Sequence, residues 1–118
     1  APRTSRRMNR AVRLLRRADQ DADAIFDWLH ERSPQGAESW YAAFLDAVRR
    51  LKTEADSLPV VPRIRYEELH VRRSLFRSPH GSVYQIVFAV NEAANEVLVL
   101  RIRGPGQPPV RRRDLRDA

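Results

Sequence analysis

The sequence predicts an α+β fold, in which a small, mainly antiparallel sheet (order β-α-α-β-β-β) carries a two-helix hairpin packed on one face. Two observations lead to this prediction. Residues 82–103 (SVYQIVFAVNEAANEVLVLRIR) form two apolar runs joined by a short turn, and residues 18–55 repeat apolar side chains with helical spacing. A chain of 118 residues can bury one core but not two independent ones, so we expect a single domain.

The first predicted strand lies at residues 9–15 (NRAVRLL), where apolar side chains alternate. Helical spacing begins at Ala18 and ends near Arg32, with aspartates in the first turns, where the helix dipole favours negative charge. Ser33 and Pro34 then provide a cap and a first-turn proline for a second helix. Because almost no loop separates the two helices, we expect an antiparallel hairpin.

The remaining strands follow the helices. Residues 57–65 (SLPVVPRIR) contain two prolines and are predicted to be a connector, because proline lacks the N–H that a regular element uses. Residues 68–76 (ELHVRRSLF) alternate weakly and are predicted to be a strand, followed by a turn at 77–81 and the two apolar runs. The Gly/Pro-rich residues 104–109 end the last strand.

The two-residue period assigns side chains of the last two strands to opposite faces of the sheet. One face is predicted to pack on the helices, and its residues are Tyr84, Ile86, Phe88, Val90, Leu98, Leu100 and Ile102. The other face is predicted to be the working surface, and its residues are Gln85, Val87, Val97, Val99, Arg101 and Arg103.

Composition narrows the chemistry. The absence of cysteine excludes a disulfide framework, a thiolate nucleophile and cysteine-based metal sites. His30 and His70 form no metal-ligand pattern with nearby acids, so we expect no metal and no cofactor. No apolar run approaches the roughly 20 residues of a membrane helix, and no signal-type stretch follows the arginine-rich start. We therefore expect a cytoplasmic protein with no membrane partner.

Charge is segregated along the chain, whose formal net charge is +7. Residues 1–17 hold seven arginines and no acid, and residues 101–118 hold six arginines against two aspartates. We interpret residues 1–8 as a flexible basic leader, 9–104 as the folded domain and 105–118 as a Pro/Arg-rich tail. Basic ends suit a polyanion or an acidic protein partner; tails that only keep the chain soluble are the alternative.

Several stretches, in a fixed order, carry a resemblance to a known family. They are ADQDADAIFDWL at 18–29, Ser33-Pro34 with the apolar stripe after it, the basic strand around Arg72 and Arg73, VYQIVFAV at 83–90 and VLVLRIR at 97–103. With these features the chain resembles the RelE/ParE superfamily of bacterial toxins, over roughly four fifths of its length.

This resemblance implies the toxin of a type II toxin–antitoxin or plasmid-stabilisation module. It also implies a cognate antitoxin, commonly acidic in its binding segment, that neutralises the toxin within a hetero-oligomer. One branch of the superfamily contains ribosome-dependent mRNA endonucleases and the other contains poisons of DNA gyrase. The expected cellular target is therefore either the ribosome with its mRNA or DNA gyrase.

Candidate catalytic residues for the nuclease branch are Arg72, Arg73 and Arg77, which could stabilise phosphate charge, and His80, which can exchange a proton near neutral pH. Arginine is a poor proton shuttle. Gln85 stands where that branch has an arginine, and a Gly-Pro-Gly stretch replaces its final basic run. The preferred hypothesis is a toxin that inhibits growth by binding gyrase. An mRNA endoribonuclease, and a non-toxic domain that binds nucleic acid or a partner, are the alternatives.

Four residues are predicted to bind the partner. Arg101 and Arg103 leave the last strand beside Gln85 and could receive acidic antitoxin side chains or phosphates. Trp28 lies off the apolar stripe of the first helix and could also meet the antitoxin. Edge-strand charge that discourages aggregation is the alternative for the arginines, and packing is the alternative for Trp28.

Overall fold

Two helices and five strands make up the computed structural model, which describes residues 9–118. The predicted leader, residues 1–8, lies outside the described residues. The elements are β1 Ala11–Leu14, α1 Arg16–Arg32, α2 Pro34–Glu54, β2 Val60–Tyr66, β3 Leu69–Arg77, β4 Val83–Asn91 and β5 Glu96–Arg103, with short 3-10 helices at Ala55–Ser57 and Arg112–Leu115.

The strands form one sheet in the order β1-β5-β4-β3-β2. β1 runs parallel to β5, and every other neighbouring pair is antiparallel. The two helices pack on each other, with α1 against β5 and α2 against β1 and β3. The predicted α+β fold is therefore confirmed.

The prediction of a connector at residues 57–65 is wrong for most of that segment, which belongs to β2. As an edge strand, β2 tolerates Pro62, because a missing N–H on the outer side costs no ladder hydrogen bond. The backbone of Arg63 lies in the left-handed region at φ 66°, and the pairing with β3 shifts register between Val60 and Arg65. The proline and this irregular register obscure the period of two in the sequence.

The predicted start of the second helix is confirmed. The Oγ atom of Ser33 accepts a hydrogen bond of 2.9 Å from the Gly36 N–H, and Pro34 occupies the first turn, where its missing N–H is not needed. α2 then packs the rings of Trp40 and Phe44 in a stack with centroids 5.2 Å apart. The helix-side core contains, among others, Trp40, Phe44, Leu51, Phe76, Tyr84, Ile86, Phe88, Val97, Val99 and Ile102.

A bulge in β5 interrupts the alternation on which the predicted faces depend. Val87 pairs with Arg101, whereas the next residue of β4, Phe88, pairs with Val99. Leu100 is therefore an extra residue with no partner in the register, and side chains before it are reversed relative to a regular strand.

Because of the bulge, the predicted faces are wrong for the residues of β5 before Arg101 and correct for most others. Leu98 and Leu100 were expected to face the helices but belong to the second face, and Val97 and Val99 show the opposite error. A strict period of two cannot anticipate one inserted residue. The helix-side assignment is confirmed for Tyr84, Ile86, Phe88, Val90 and Ile102.

The second face of the sheet has a core of its own. It is formed by Val71, Val87, Ala89, Leu98, Leu100, Val110 and Leu115. The last two belong to residues 105–118, which we call the C-terminal segment and which crosses this face. The predicted working surface is therefore partly covered by the chain itself.

Candidate partner-binding surface

Arg101 is held inside the protein by two groups. Its Nε and Nη2 atoms donate to the carboxylate of Asp21 at 2.8 and 3.1 Å, and its Nη1 atom donates to the Asp114 carbonyl at 2.9 Å. The side chains of Arg101 and Asp21 are only 12% and 18% exposed. The hydrogen bonds that Arg101 donates to Asp21 raise the pKa of Arg101 above its ordinary value.

Asp21 also completes the edge of the sheet. The pairing of β1 with β5 ends where the Leu15 N–H donates to the Val99 carbonyl, so the last residues of β5 pair with β4 but have no strand on their other side. The Ile102 N–H instead donates to Asp21 Oδ2 at 2.9 Å. One carboxylate thus binds a guanidinium and replaces a missing strand partner.

Arg103 is paired with the C-terminal segment. Its Nη2 atom lies 3.2 Å from Asp114 Oδ2, and the Arg111 N–H donates to that same oxygen at 2.8 Å. The backbone hydrogen bond from Arg111 and the charge of Arg103 lower the pKa of Asp114. Neither predicted partner-binding arginine is a free cation, because each already has a carboxylate of this chain.

Gln85 lies opposite Arg103 in the pairing of β4 and β5, and opposite Leu75 in the pairing of β3 and β4. Together with Arg73 these residues line a cavity of about 240 Å³ on the second face, which we call the Gln85 cavity. The C-terminal segment borders this cavity. Leu75 is 57% exposed. Gln85 and Arg103 are therefore neighbours, as the sequence predicts, and the exposed apolar side chain of Leu75 lies beside them.

Trp28 belongs to a second concavity, the Trp28 groove, between α1 and the end of β5. This groove has a volume of about 560 Å³, and its apolar wall includes Ile25, Ile102 and Pro105. Trp28 is 56% exposed, and the guanidinium carbon of Arg32 lies 3.7 Å from the centre of its ring, which is a cation–π contact.

The Trp28 groove and the Gln85 cavity adjoin, because Tyr84, Gly104 and Gln107 line both of them. A Cβ atom at Gly104 would lie 3.1 Å from the Tyr84 ring, so this close approach favours glycine. Three of the four predicted partner-binding residues, Trp28, Gln85 and Arg103, therefore border one continuous surface. Arg101 lines neither concavity and lies behind Asp21, which lines the Trp28 groove.

The candidate catalytic residues do not converge. Arg72 donates to the Leu58 carbonyl at 2.7 Å, and Arg73, the next residue of β3, lines the cavity on the second face. Arg77 donates to the Gly81 carbonyl at 2.7 Å. His80 lies near the first turn of α2, where a Cβ atom at Gly36 would be 4.0 Å from His80 Nε2. Among the described residues, no group of three His, Cys, Asp or Glu could hold a metal ion.

Sequence reasoning missed the two aspartates that organise this surface. Asp21 appears in the sequence only as one of several acids near a helix start. Asp114 stands alone between Arg113 and Leu115, and an isolated acid within an arginine run is the one signal that could have indicated an internal ion pair.

Comparison with known proteins gives one match. A family model described as the ParE toxin of the type II toxin-antitoxin system, parDE, matches residues 12–107. No curated protein and no solved structure matches the chain. No helix in the described part of the chain is long and apolar enough to cross a membrane.

Proposed function

The chain belongs to the ParE toxin family of type II toxin–antitoxin systems, and from this premise we propose that it inhibits growth by binding DNA gyrase. The observation that supports the proposal is the extent of the match, because residues 12–107 include both helices and nearly the whole sheet. Gyrase is the target of the superfamily branch that acts without cutting RNA.

The positions of the candidate catalytic groups also favour binding over RNA cleavage. Cleavage by a 2′-hydroxyl needs a proton acceptor and a proton donor beside the cations that stabilise phosphate. Arg73 opens into the cavity on the second face, whereas His80 lies near the first turn of α2. Gln85, which borders the same cavity as Arg73, has no acid–base chemistry near neutral pH.

We assign antitoxin binding to the surface that joins the Trp28 groove and the Gln85 cavity. An apolar antitoxin side chain would enter the groove beside Trp28, and acidic side chains would meet Arg32 and Arg73 around it. An exposed tryptophan in a concave apolar site is a typical anchor of protein interfaces. Arg101 and Arg103 would join this contact only by exchanging Asp21 or Asp114 for antitoxin carboxylates.

The target can be tested by inducing the protein in a bacterium without an antitoxin. We expect growth arrest, an SOS response, gyrase trapped on DNA and intact transcripts, and we expect purified protein to inhibit gyrase supercoiling. Codon-phased transcript cuts without gyrase inhibition would instead support the mRNA endoribonuclease. Unimpaired growth would support a non-toxic binding domain.

The antitoxin surface can be tested with Trp28→Ala and the cognate antitoxin. We expect the dissociation constant to rise by at least about 30-fold, which is typical for removal of an aromatic anchor. Leu45→Ala, on α2 outside the groove, is the control, since Leu45 is 44% exposed. Equal affinity of the two variants, measured by calorimetry, would exclude the groove from the interface.

A further inference from the structure

Arginines in different parts of this protein have different surroundings. Several arginines on or next to β1, the helices and β5 form ion pairs with carboxylates of this chain. They include Arg10, Arg13, Arg49, Arg50, Arg101 and Arg103. Six others, on β2 and the C-terminal segment, have no carboxylate at ion-pairing distance within residues 9–118. We call them the basic surface, and they are Arg63, Arg65, Arg111, Arg112, Arg113 and Arg116.

The basic surface is continuous, because β2 contacts the short helix Arg112–Leu115. Arg63, Arg65 and Arg112 line one concavity of about 550 Å³. Arg65, Arg112 and Arg116 line a second concavity of about 580 Å³. Since the two concavities share Arg65 and Arg112, four cations of the surface face adjoining hollows. Acidic residues also line these hollows, namely Glu67, Glu68 and Asp117.

Internal contacts hold the backbone that carries Arg111, Arg112, Arg113 and Arg116, which distinguishes this segment from a tail that only keeps the chain soluble. Val110 and Leu115 are buried in the second-face core. The Arg16 guanidinium donates to the Asp117 carbonyl at 2.9 Å, and the Arg17 N–H donates to the Ala118 carbonyl at 3.2 Å. The segment is thus anchored on both sides of its arginines, and a ligand would order fewer backbone torsions on binding.

Protection of the sheet edge accounts for only part of this surface. Charges and a bulge on β2 discourage edge-to-edge pairing, and Arg63 and Arg65 satisfy that need. The arginines of the C-terminal segment are not on a strand edge. In addition, Arg63 adopts the left-handed backbone, which costs a non-glycine residue on the order of 1 kcal/mol and re-aims its side chain.

We propose that the basic surface binds the phosphate backbone of a nucleic-acid duplex. Guanidinium groups match the geometry of phosphate oxygens, and six cations on one surface can contact several phosphates without reading base sequence. The exposed aromatic residues Trp28 and Tyr41 lie on the helices, and Tyr66, which lines one of the two concavities, is only partly exposed. A single strand would need several accessible aromatic rings for base stacking, so the surface fits a duplex better.

An acidic protein is a weaker candidate for the same surface. Protein interfaces combine charge with a buried apolar centre. On β2 the large exposed apolar side chain is Val60, which lies at the opposite end of the strand from Arg65.

This proposal goes beyond growth inhibition through gyrase and does not depend on it, because duplex binding is measured with the protein alone.

The test compares two triple variants that remove the same number of charges. Arg63→Gln/Arg65→Gln/Arg112→Gln changes the basic surface, and Arg13→Gln/Arg49→Gln/Arg50→Gln removes paired arginines elsewhere. Fluorescence anisotropy with labelled DNA and RNA duplexes of one sequence gives affinity at several salt concentrations. We expect the first variant to lose at least about 10-fold in affinity and to lower the salt slope by about 3, with the control within about 3-fold of the parent.

A third variant tests the sign of the charge effect without removing an arginine. Glu68 lies in the same concavity as Arg63, so Glu68→Gln should tighten duplex binding. Circular dichroism and thermal melting verify that each variant is folded. Preference for the DNA or the RNA duplex identifies which source of phosphate the surface uses. Equal losses in the two triple variants, or tighter binding of a single strand or a polyglutamate peptide than of either duplex, would overturn the proposal.

Discussion

At the scale of single residues, Asp21 joins α1 to β5, a role that its position in the sequence does not suggest. It lies on α1, binds the Arg101 guanidinium and accepts the Ile102 N–H at the uncovered end of β5. Because both charged side chains are mostly buried, loss of either leaves a charge with poor hydration.

Asp21→Ala should lower the free energy of unfolding by about 2–3 kcal/mol, because Arg101 loses its carboxylate and Ile102 loses a hydrogen-bond acceptor. Urea denaturation measures this change. Asp23→Ala, two residues along the same helix at an exposed position, should change stability by less than about 0.5 kcal/mol. Similar values for the two variants would contradict a structural role for the Asp21 pair.

The sequence could predict the negative charge at this helix start but not its partner. Helical spacing and dipole arguments use neighbours within a few turns, whereas Asp21 and Arg101 are separated by 80 positions. Only the packing of α1 against β5 brings them together. For the same reason the sequence could identify Arg101 as a candidate binding residue but could not predict its ion pair with Asp21.

At the scale of elements, residues 105–118 are the part whose composition was least informative about its structure. Their prolines and arginines give no helical or strand period, yet Val110 and Leu115 cover the second face of the sheet. By contrast, α2 and β4 follow their periods closely, and both were predictable. Irregular chain that packs through two apolar side chains carries no periodic signal.

Leu115→Ala should destabilise the protein by about 2 kcal/mol, since the side chain is 4% exposed and its removal opens space in the second-face core. Relative to the parent protein, hydrogen exchange in this variant should become faster in residues 105–118, and the increase there should exceed any increase in β4. Leu45→Ala, which truncates an exposed leucine of α2 away from this segment, is the control and should leave exchange of that segment unchanged. Unaltered exchange in Leu115→Ala would show that this contact does not hold the segment in place.

At the scale of the whole molecule, two aspartates connect elements that are distant in sequence. Asp56, after α2, binds the buried Arg10 at 2.8 and 3.0 Å, and Asp114 joins the C-terminal segment to Arg103 on β5. The hydrogen bond from Arg10 lowers the pKa of Asp56, and that from the Arg111 N–H lowers the pKa of Asp114.

Stability should therefore fall at acid pH. Because both pKa values lie below the ordinary aspartate value of 3.8, the stabilisation is complete above that pH and is lost as the pH falls through the lowered values. Urea unfolding at about pH 7, 5 and 3 measures the loss. Asp56→Asn/Asp114→Asn should be less stable than the parent at neutral pH and should lose less on acidification. An identical pH dependence in parent and variant would contradict this assignment.

The parallel pairing of β1 with β5 has a consequence for synthesis of the chain. Residues 11–14 leave the ribosome early, but their partners, residues 96–99, leave it after most of the sheet. Pairs of such large sequence separation form late, since their loop-closure entropy must be met first. A nascent chain therefore lacks a finished sheet until residues 96–103 have left the ribosome, and the surface that joins the Trp28 groove and the Gln85 cavity appears only after residues 104–110 have followed them.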